Sequence, residues 1–512
     1  MNKVLMLGLD GVSWELIREW IAKKELPFIK KAMEKGLYAT NWTTIPCLTS
    51  PALPSFITGK NPAKTGIFGF RKSDGSLMSY QDIKDPAFWD LFENPKIESL
   101  VVNLRINYPP KIRNGVMVAG TITPSEESEY VYPARYKKYF KGVHVEYDKG
   151  IKNQGTQEIS KRYTDITKKK FKKFEGFFFK KKFRFALFWF DLTDNIQHFA
   201  WNNNEVILEY FKNIESIIKE FVKRTPDYNI ILFSDHGFEP VPKYIVYINE
   251  WLERKGHLRV EGEGFAKLKN KVLPSLYSKA YTSGGWMLYK LLPLKIYNRL
   301  FKLKKKIEKN SIEKESKAVV MEETITALSG LDMKRTKAFL DQKWGIKIIK
   351  KNVKNPKKFR DRLIKELRNL KSPNGKRVFK QVYKREEVFK GKYLKEVPDI
   401  VFLTQKEFEL RDGFSRRLFK RIRVKRDVVG CHENARDGIF IAYGKDIAKK
   451  GKIKDISIYD LAPTVLHLMN SGVPKDMDGR VLDIFKKTSE PGKRKPRHVK
   501  EDIKSIIDKI EI

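Results

Sequence analysis

The sequence predicts an α/β fold with a mainly parallel central sheet flanked by helices, plus a helical insertion. Short apolar runs recur along the first half, at Val4–Leu9, Ser99–Leu104, 183–190 and 229–232. They have strand length and lack polar alternation, the pattern of strands buried on both faces. Segments with apolar residues at helical spacing separate them, which is the alternation that builds a parallel sheet. Two of the runs stop on chemically capable groups: Asp10 after the first, and Ser234-Asp235-His236-Gly237 after the last. Open parallel sheets bind ligands just outside the carboxyl ends of their strands.

The first apolar strand closes on Asp10-Gly11, and an amphipathic helix is expected over 17–35 with Gly36 as its stop. Asp10 reads either as a ligand at a strand end or as the N-cap of the next helix. Residues 43–59 form a loop rich in hydroxyls and prolines, then a short helix. Thr49 and Ser50 precede Pro51, a residue suited to a first helical position. A hydroxyl there lies where backbone N–H groups and the helix dipole favour anions, so Thr49 is either a nucleophile or a plain cap. Strand-like runs at 99–104 and 116–119 flank Tyr108-Pro109-Pro110, and 155–180 reads as a basic helix with a phenylalanine-rich end.

The run 183–190 leads into Asp191-Leu192-Thr193-Asp194-Asn195-Ile196-Gln197-His198. Asp194 and His198 are four apart, which on a helix puts both on one face, an arrangement that suits a divalent metal. A helix over 205–224 leads to the strand before Asp235 and His236. Adjacent residues inside a strand point to opposite faces, so these two aim at one point only past the strand's end, where Gly237 permits a break. By themselves they fit a ligand pair or an ordinary structural hydrogen bond.

Residues 256–330 show no strand–helix alternation and read as an insertion or cap. Within it, 286–306 has apolar residues at helical spacing with Lys and Arg between them. That pattern fits a helix packed on the main body, or a basic amphipathic helix on an anionic membrane. Strands are expected again at 337–349 and 398–403, with a charged helix over 356–370 between them, and at 438–442 shortly after Gly430-Cys431-His432. A helix is expected at 460–468. The domain reading is a discontinuous core of 1–255 and 331–485, a basic helical insertion at 256–330, and a Lys-rich tail at 486–512.

The apolar share of 41% is that of a globular protein and excludes global disorder. Lys and Arg outnumber Asp and Glu by 104 to 62, a net charge of +42. Such a surplus favours anionic partners, whether nucleic acid, acidic lipid or a phosphorylated substrate, or else reflects solvated basic faces. No specific nucleic-acid motif accompanies it. Two cysteines, Cys47 and Cys431, are too few for a disulfide framework and fit a reducing compartment. No secretory signal and no long uncharged apolar stretch is evident, so the expected location is cytoplasmic, or peripheral to the inner membrane face.

Asp10, Thr49, Asp194, His198, Asp235, His236 and His432 each stand beside an expected strand end or helix start. Three of the chain's 7 histidines fall in this set. Mixed nitrogen and oxygen donors suit zinc, manganese or iron rather than calcium, and seven such groups can hold two ions. Two metals roughly 4 Å apart clamp the attacking and leaving oxygens of an in-line displacement at phosphorus.

In order and surroundings these pieces resemble the alkaline phosphatase superfamily, and within it the type I phosphodiesterase/nucleotide pyrophosphatase family. The matching pieces are Gly8-Leu9-Asp10-Gly11; Thr49 two before Pro51, with Ser55, Thr58 and Gly59 behind it; Asp194 and His198; Ser234-Asp235-His236-Gly237; and His432 before Asp437-Gly438-Ile439. Asp460-Leu461-Ala462-Pro463-Thr464-Val465 and Asp476-Met477-Asp478-Gly479-Arg480 complete the likeness, over roughly 1–255 and 330–485. The resemblance implies an alkaline phosphatase-like core and two divalent ions, zinc or alternatively manganese. One ion would be held by Asp194, His198 and His432, the other by Asp10, Asp235, His236 and the Thr49 oxygen. Thr49 would be the nucleophile and pass through a phosphothreonine. One departure stands out: family members often carry Asn three residues after the nucleophile to bind a phosphate oxygen, and this chain has Ala52.

The expected function is a two-metal hydrolase of phosphate diesters or pyrophosphates, acting on a phosphorylated small molecule or a lipid-linked substrate. A phosphomonoesterase, a sulfatase-like hydrolase or a phosphotransferase would use the same groups. A reading of another class is a basic nucleic-acid- or membrane-binding protein with a relict site. The pocket around the reacting groups, rather than the groups themselves, separates the first set.

Overall fold

The structure is a computed structural model that describes residues 2–72, 76–121, 123–143, 154–260, 331–415, 417–422 and 428–499. The basic helix expected at 286–306, with residues 261–330 of the insertion expected at 256–330, lies outside the described residues, as does the end of the tail from 500. The chain divides into two compact units. One comprises Met1–Val241, Phe389–Glu396 and Val424–Ile512, the other Pro242–Val388 and Val397–Arg423.

The first unit is built on a ten-stranded sheet. Its early elements are β1 (Val4–Leu9), α1 (Trp14–Ala22), α2 (Pro27–Lys35), β2 (Leu37–Trp42), α3 (Thr49–Thr58), α4 (Pro62–Thr65), β3 (Ser99–Leu104), β4 (Gly115–Ala119) and β5 (Val131–Tyr132). Then come α5 (Thr156–Lys181), β6 (Phe185–Phe190), α6 (Leu192–Ala200), α7 (Asn204–Lys223), β7 (Asn229–Phe233) and β8 (Glu239–Pro240). The central strands β7, β1, β6, β3 and β4 lie side by side and parallel. The late strand Asp437–Tyr443 is antiparallel between β7 and β2. The mainly parallel, doubly covered sheet agrees with the expectation from the apolar runs.

Why those runs are apolar throughout is explained by the packing. Leu5, Leu7 and Leu9 of β1 enter one apolar cluster with α1, α2, α5 and α7, while Val4 and Met6 enter a second with α3 and the helix Leu461–Leu468. Successive strand residues face opposite sides, so both sides must be apolar when helices cover both. Among the described residues, no helix is long and apolar enough to cross a membrane.

Local expectations are corrected at two places. The helix expected over 17–35 is two helices. Lys24 takes a left-handed φ of 62° and Pro27 opens α2, where its missing N–H costs nothing. The N-cap of α1 is Ser13, whose Oγ accepts from the Leu16 amide at 3.3 Å, so Asp10 is not that cap. Helix α3 starts at Thr49 and not at Pro51, with Leu48 as its cap residue and no side-chain capping bond.

The second unit holds the antiparallel sheet of Ala338–Leu340, Gly345–Ile348, Ile400–Thr404 and Phe379–Lys384, with the helix Pro356–Arg368 packed against the last of these. A three-stranded sheet of Phe408–Arg411, Tyr244–Tyr247 and Phe419–Arg421 joins it around its own apolar cluster. Of the Lys-rich segment after 486, the strand His498–Val499 pairs with Val473–Pro474 in the first unit.

One close approach ties packing to the site. Gly8 lies opposite Trp189 in the β1–β6 register, and a Cβ on Gly8 would sit 1.9 Å from the indole Cε3. That indole donates from Nε1 to Asp10 Oδ2 at 3.1 Å. Gly8→Ala is therefore expected to push the indole off Asp10 and to destabilise the fold by about 1–3 kcal/mol. The measurement is a urea unfolding curve, and an unchanged midpoint would contradict the packing argument.

Candidate active site

Three neighbouring strand ends deliver most of the chemistry. Asp10 comes directly after β1, Asp235 and His236 lie just past the end of β7, and β6 runs into α6, which carries Asp194 and His198 one turn apart. Because β7, β1 and β6 are adjacent and parallel, their carboxyl ends open at one place. His432 comes after the short strand Gly430–Cys431, which pairs with β8 just downstream of His236. Thr49 is the first residue of α3. All seven residues picked from the sequence come together within the first unit. Asp10, Thr49, Asp194, Asp235 and His236 are buried, and His198 and His432 are half-buried.

The three imidazoles are oriented alike. Nδ1 of His198 meets the Gly430 carbonyl at 2.8 Å, that of His236 the Gly237 carbonyl at 2.9 Å, and that of His432 the Cys47 carbonyl at 3.0 Å. A carbonyl only accepts, so each Nδ1 carries the proton and the lone pair of each neutral ring sits on Nε2. This is the carbonyl–imidazole support typical of metal-ligating histidines. His198 Nε2 lies 3.4 Å and His432 Nε2 3.8 Å from Asp194 Oδ1. His236 Nε2 lies 3.5 Å from Asp10 Oδ1, 3.3 Å from Asp235 Oδ2 and 3.0 Å from Thr49 Oγ1.

The same three carboxylate oxygens, Asp10 Oδ1, Asp194 Oδ1 and Asp235 Oδ2, are buried without a hydrogen-bond donor. Buried acceptors aimed at the lone pairs of imidazoles are unfavourable unless a cation or a proton lies between them. The residues thus fit divalent cations. Ligand atoms of Asp194, His198 and His432 lie within 4.8 Å of one another, and so do those of Asp10, Asp194 and His236. Asp194 therefore belongs to both groups, whereas the family resemblance places it in one. Asp235 and Thr49 join the second group through His236.

Protonation reflects the same crowding. Burial, reinforced by Asp235 and Asp194 and opposed by Arg105, holds the Asp10 carboxyl well above its usual range. Burial works to raise Asp194 too, but the neighbouring His198, Arg105 and His432 keep it well below. Burial, then the neighbouring His236, pushes His432 down to about 3, which keeps it a neutral donor.

Thr49 is not used for capping. Its hydroxyl meets His236 and not its own helix. The helix leaves its first amides without internal partners, and those of Thr49 and Ser50 are here the available ones, since Pro51 has none and Ala52 bonds to the Leu48 carbonyl. Ala52 itself is fully buried in the apolar cluster behind α3. Cys47 and Cys431 form no disulfide, and Cys47 contributes its carbonyl to His432.

Arg105 is the site residue that sequence reasoning missed. It stands just past β3 as Asp10 stands just past β1, and its Nε and Nη1 lie 3.3 Å from Asp10 Oδ2 and Asp194 Oδ2. A charged residue at the end of a buried apolar run was the available signal. Trp189 and the Gly11 amide, which donates to Asp235 Oδ1 at 3.2 Å, were not recognisable before the strands were paired.

Comparison with known proteins bears on all of this. The family model described as type I phosphodiesterase/nucleotide pyrophosphatase matches residues 4–432. Among solved structures, phosphonoacetate hydrolase from Sinorhizobium meliloti, in complex with phosphonoacetate, is similar at a TM-score of 0.54 and 12% identity, covering 92% of this chain and 95% of that one. Murine ectonucleotide pyrophosphatase/phosphodiesterase 5 aligns at a TM-score of 0.47 and 13% identity, covering 95% of this chain and 100% of that one. No curated protein matches the sequence. With the family model spanning most of its length, the chain belongs to the type I phosphodiesterase/nucleotide pyrophosphatase family, the metal-dependent phosphoric ester hydrolases of the alkaline phosphatase superfamily.

Proposed function

We propose that the protein hydrolyses a phosphate diester or pyrophosphate bond through a phosphothreonine on Thr49. The observation that carries this reading is the position of Thr49 Oγ1, 3.0 Å from His236 Nε2 and at the start of a helix. Two divalent cations, held by Asp194, His198 and His432 and by Asp10, Asp235, His236 and Thr49, would lower the hydroxyl pKa and offset the charge on the phosphoryl oxygens. Zinc is the preferred ion and manganese the alternative, given a mixed set of imidazole and carboxylate donors.

The chain's own groups divide the work. Thr49 Oγ1 attacks phosphorus, the P–O bond to the leaving alcohol or phosphate breaks, and a phosphothreonine forms. Water then attacks phosphorus, the Thr49 oxygen leaves, and a phosphate monoester is released. Amides of Thr49 and Ser50 at the α3 N-terminus face anions favourably. His236 is engaged as a donor group and does not serve as general base.

A phosphorylated small molecule or a lipid-linked phosphate suits the net charge of +42. Two cysteines outside any disulfide support a reducing, cytoplasmic setting. The burial of Ala52, where family members place an amide side chain, removes one phosphate-oxygen donor and keeps monoesters and sulfate esters in the comparison.

Thr49→Ala is expected to cut turnover of bis-p-nitrophenyl phosphate by about 10⁴-fold or more while bound metal persists; unchanged turnover would remove Thr49 as nucleophile. Asp235→Ala should lose one of the two ions by elemental analysis, and full occupancy would contradict its place in the ligand set. A panel of monoester, diester, pyrophosphate and sulfate-ester substrates, assayed with zinc and with manganese, decides the substrate class. Turnover of monoesters alone would overturn the diester reading.

A further inference from the structure

A guanidinium stands among the carboxylates of a site that fits cations, and its geometry is selective. Arg105 Nε lies 3.3 Å from Asp10 Oδ2 and Nη1 3.3 Å from Asp194 Oδ2. On both carboxylates that is the outer oxygen. The inner oxygens, Asp10 Oδ1 and Asp194 Oδ1, are the ones that face His236 and the His198–His432 pair. The fork is itself held: Nη2 donates to the Asp191 carbonyl at 3.1 Å and to Asn195 Oδ1 at 2.8 Å, both at the first turn of α6. It cannot swing away without losing those two bonds. Asp10 and Asp194 come from different elements, and Arg105 pairs with both, by a hydrogen bond from Nη1 to Asp194 Oδ2 and as an ion pair from Nε to Asp10 Oδ2.

We propose that Arg105 is a positioning residue that clamps the outer oxygens of Asp10 and Asp194, so that both inner oxygens are set for the two cations at once. This rests on the two-metal reading above. A guanidinium fixed through Nη2 can pair with two carboxylates from one position, by its extended charge and the Nη1 hydrogen bond, whereas a lysine ammonium is a single point. Groups that orient metal ligands are worth roughly 10–100-fold in metal affinity. As a bare charge, Arg105 would instead repel cations, and its loss would tighten them. The two roles therefore have opposite signs.

The test titrates metal-free wild type, Arg105→Lys and Arg105→Met with zinc against a chromophoric competing chelator, with circular dichroism as the fold control. The clamp predicts two ions bound by wild type and a weakening of about 10- to 100-fold at both ions in both variants. Arg105→Lys keeps the charge and carries the test if Arg105→Met does not fold. Wild-type affinity in Arg105→Lys, tighter binding in Arg105→Met, or weakening of one ion alone would each overturn the clamp while leaving the two-metal reading in place. A folded wild type that takes up no zinc would overturn that reading and the clamp together.

Discussion

Three carboxylates converge in a buried space, and their inner oxygens have no donor of their own. That charge arrangement is the constraint on which the rest of the site depends. An uncompensated buried ion costs several kcal/mol, so Asp10, Asp194 and Asp235 persist together only where positive charge is supplied. Arg105 supplies some from the outer side, as the ion pairs to Asp10 and Asp194 show. The inner side is left to imidazole nitrogens whose protons are already committed to backbone carbonyls. A pocket so constructed is complementary to cations before any cation arrives. Its own stability and its chemistry are the same electrostatic problem.

The scaffold solves the convergence by strand order. Three parallel neighbours, β7, β1 and β6, end together, and each hands its next residues to one opening. Rigid support comes from the close stacking of Trp189 on Gly8, where the absence of a Cβ lets an indole both fill the core and hold Asp10. Helix α3 is buried along its whole length, so Thr49, the proposed nucleophile, is presented by a fixed helix start and not by a mobile loop. Precision of this kind matters because a nucleophile displaced by about 1 Å loses roughly two orders of magnitude in rate.

Charge and pocket have separate roles in such an enzyme. Cations and nucleophile suit any phosphoric ester, while neighbouring donors select among them. Ala52, three residues after Thr49, is spent on core packing.

Most of the ingredients were legible in the sequence. Apolar runs of strand length announced the parallel sheet, because strands covered on both faces cannot alternate with polar residues. The spacing of Asp194 and His198, and the polar ends of the first and last runs, marked candidate ligands locally. What stayed hidden was relational. The break between α1 and α2 turned on one left-handed lysine before a proline, which periodicity does not register. Arg105 looked like any charge after a strand until β3 was placed beside β6, and Asp194 became shared between two ligand groups only when β1, β6 and β7 were brought edge to edge. The sequence by itself determined which donors exist and that each stands at an element's end, because periodicity and capping are short-range. Only the tertiary structure decided which oxygen of each carboxylate faces inward and which cation holds the other, because those are set by contacts between residues dozens to hundreds of positions apart.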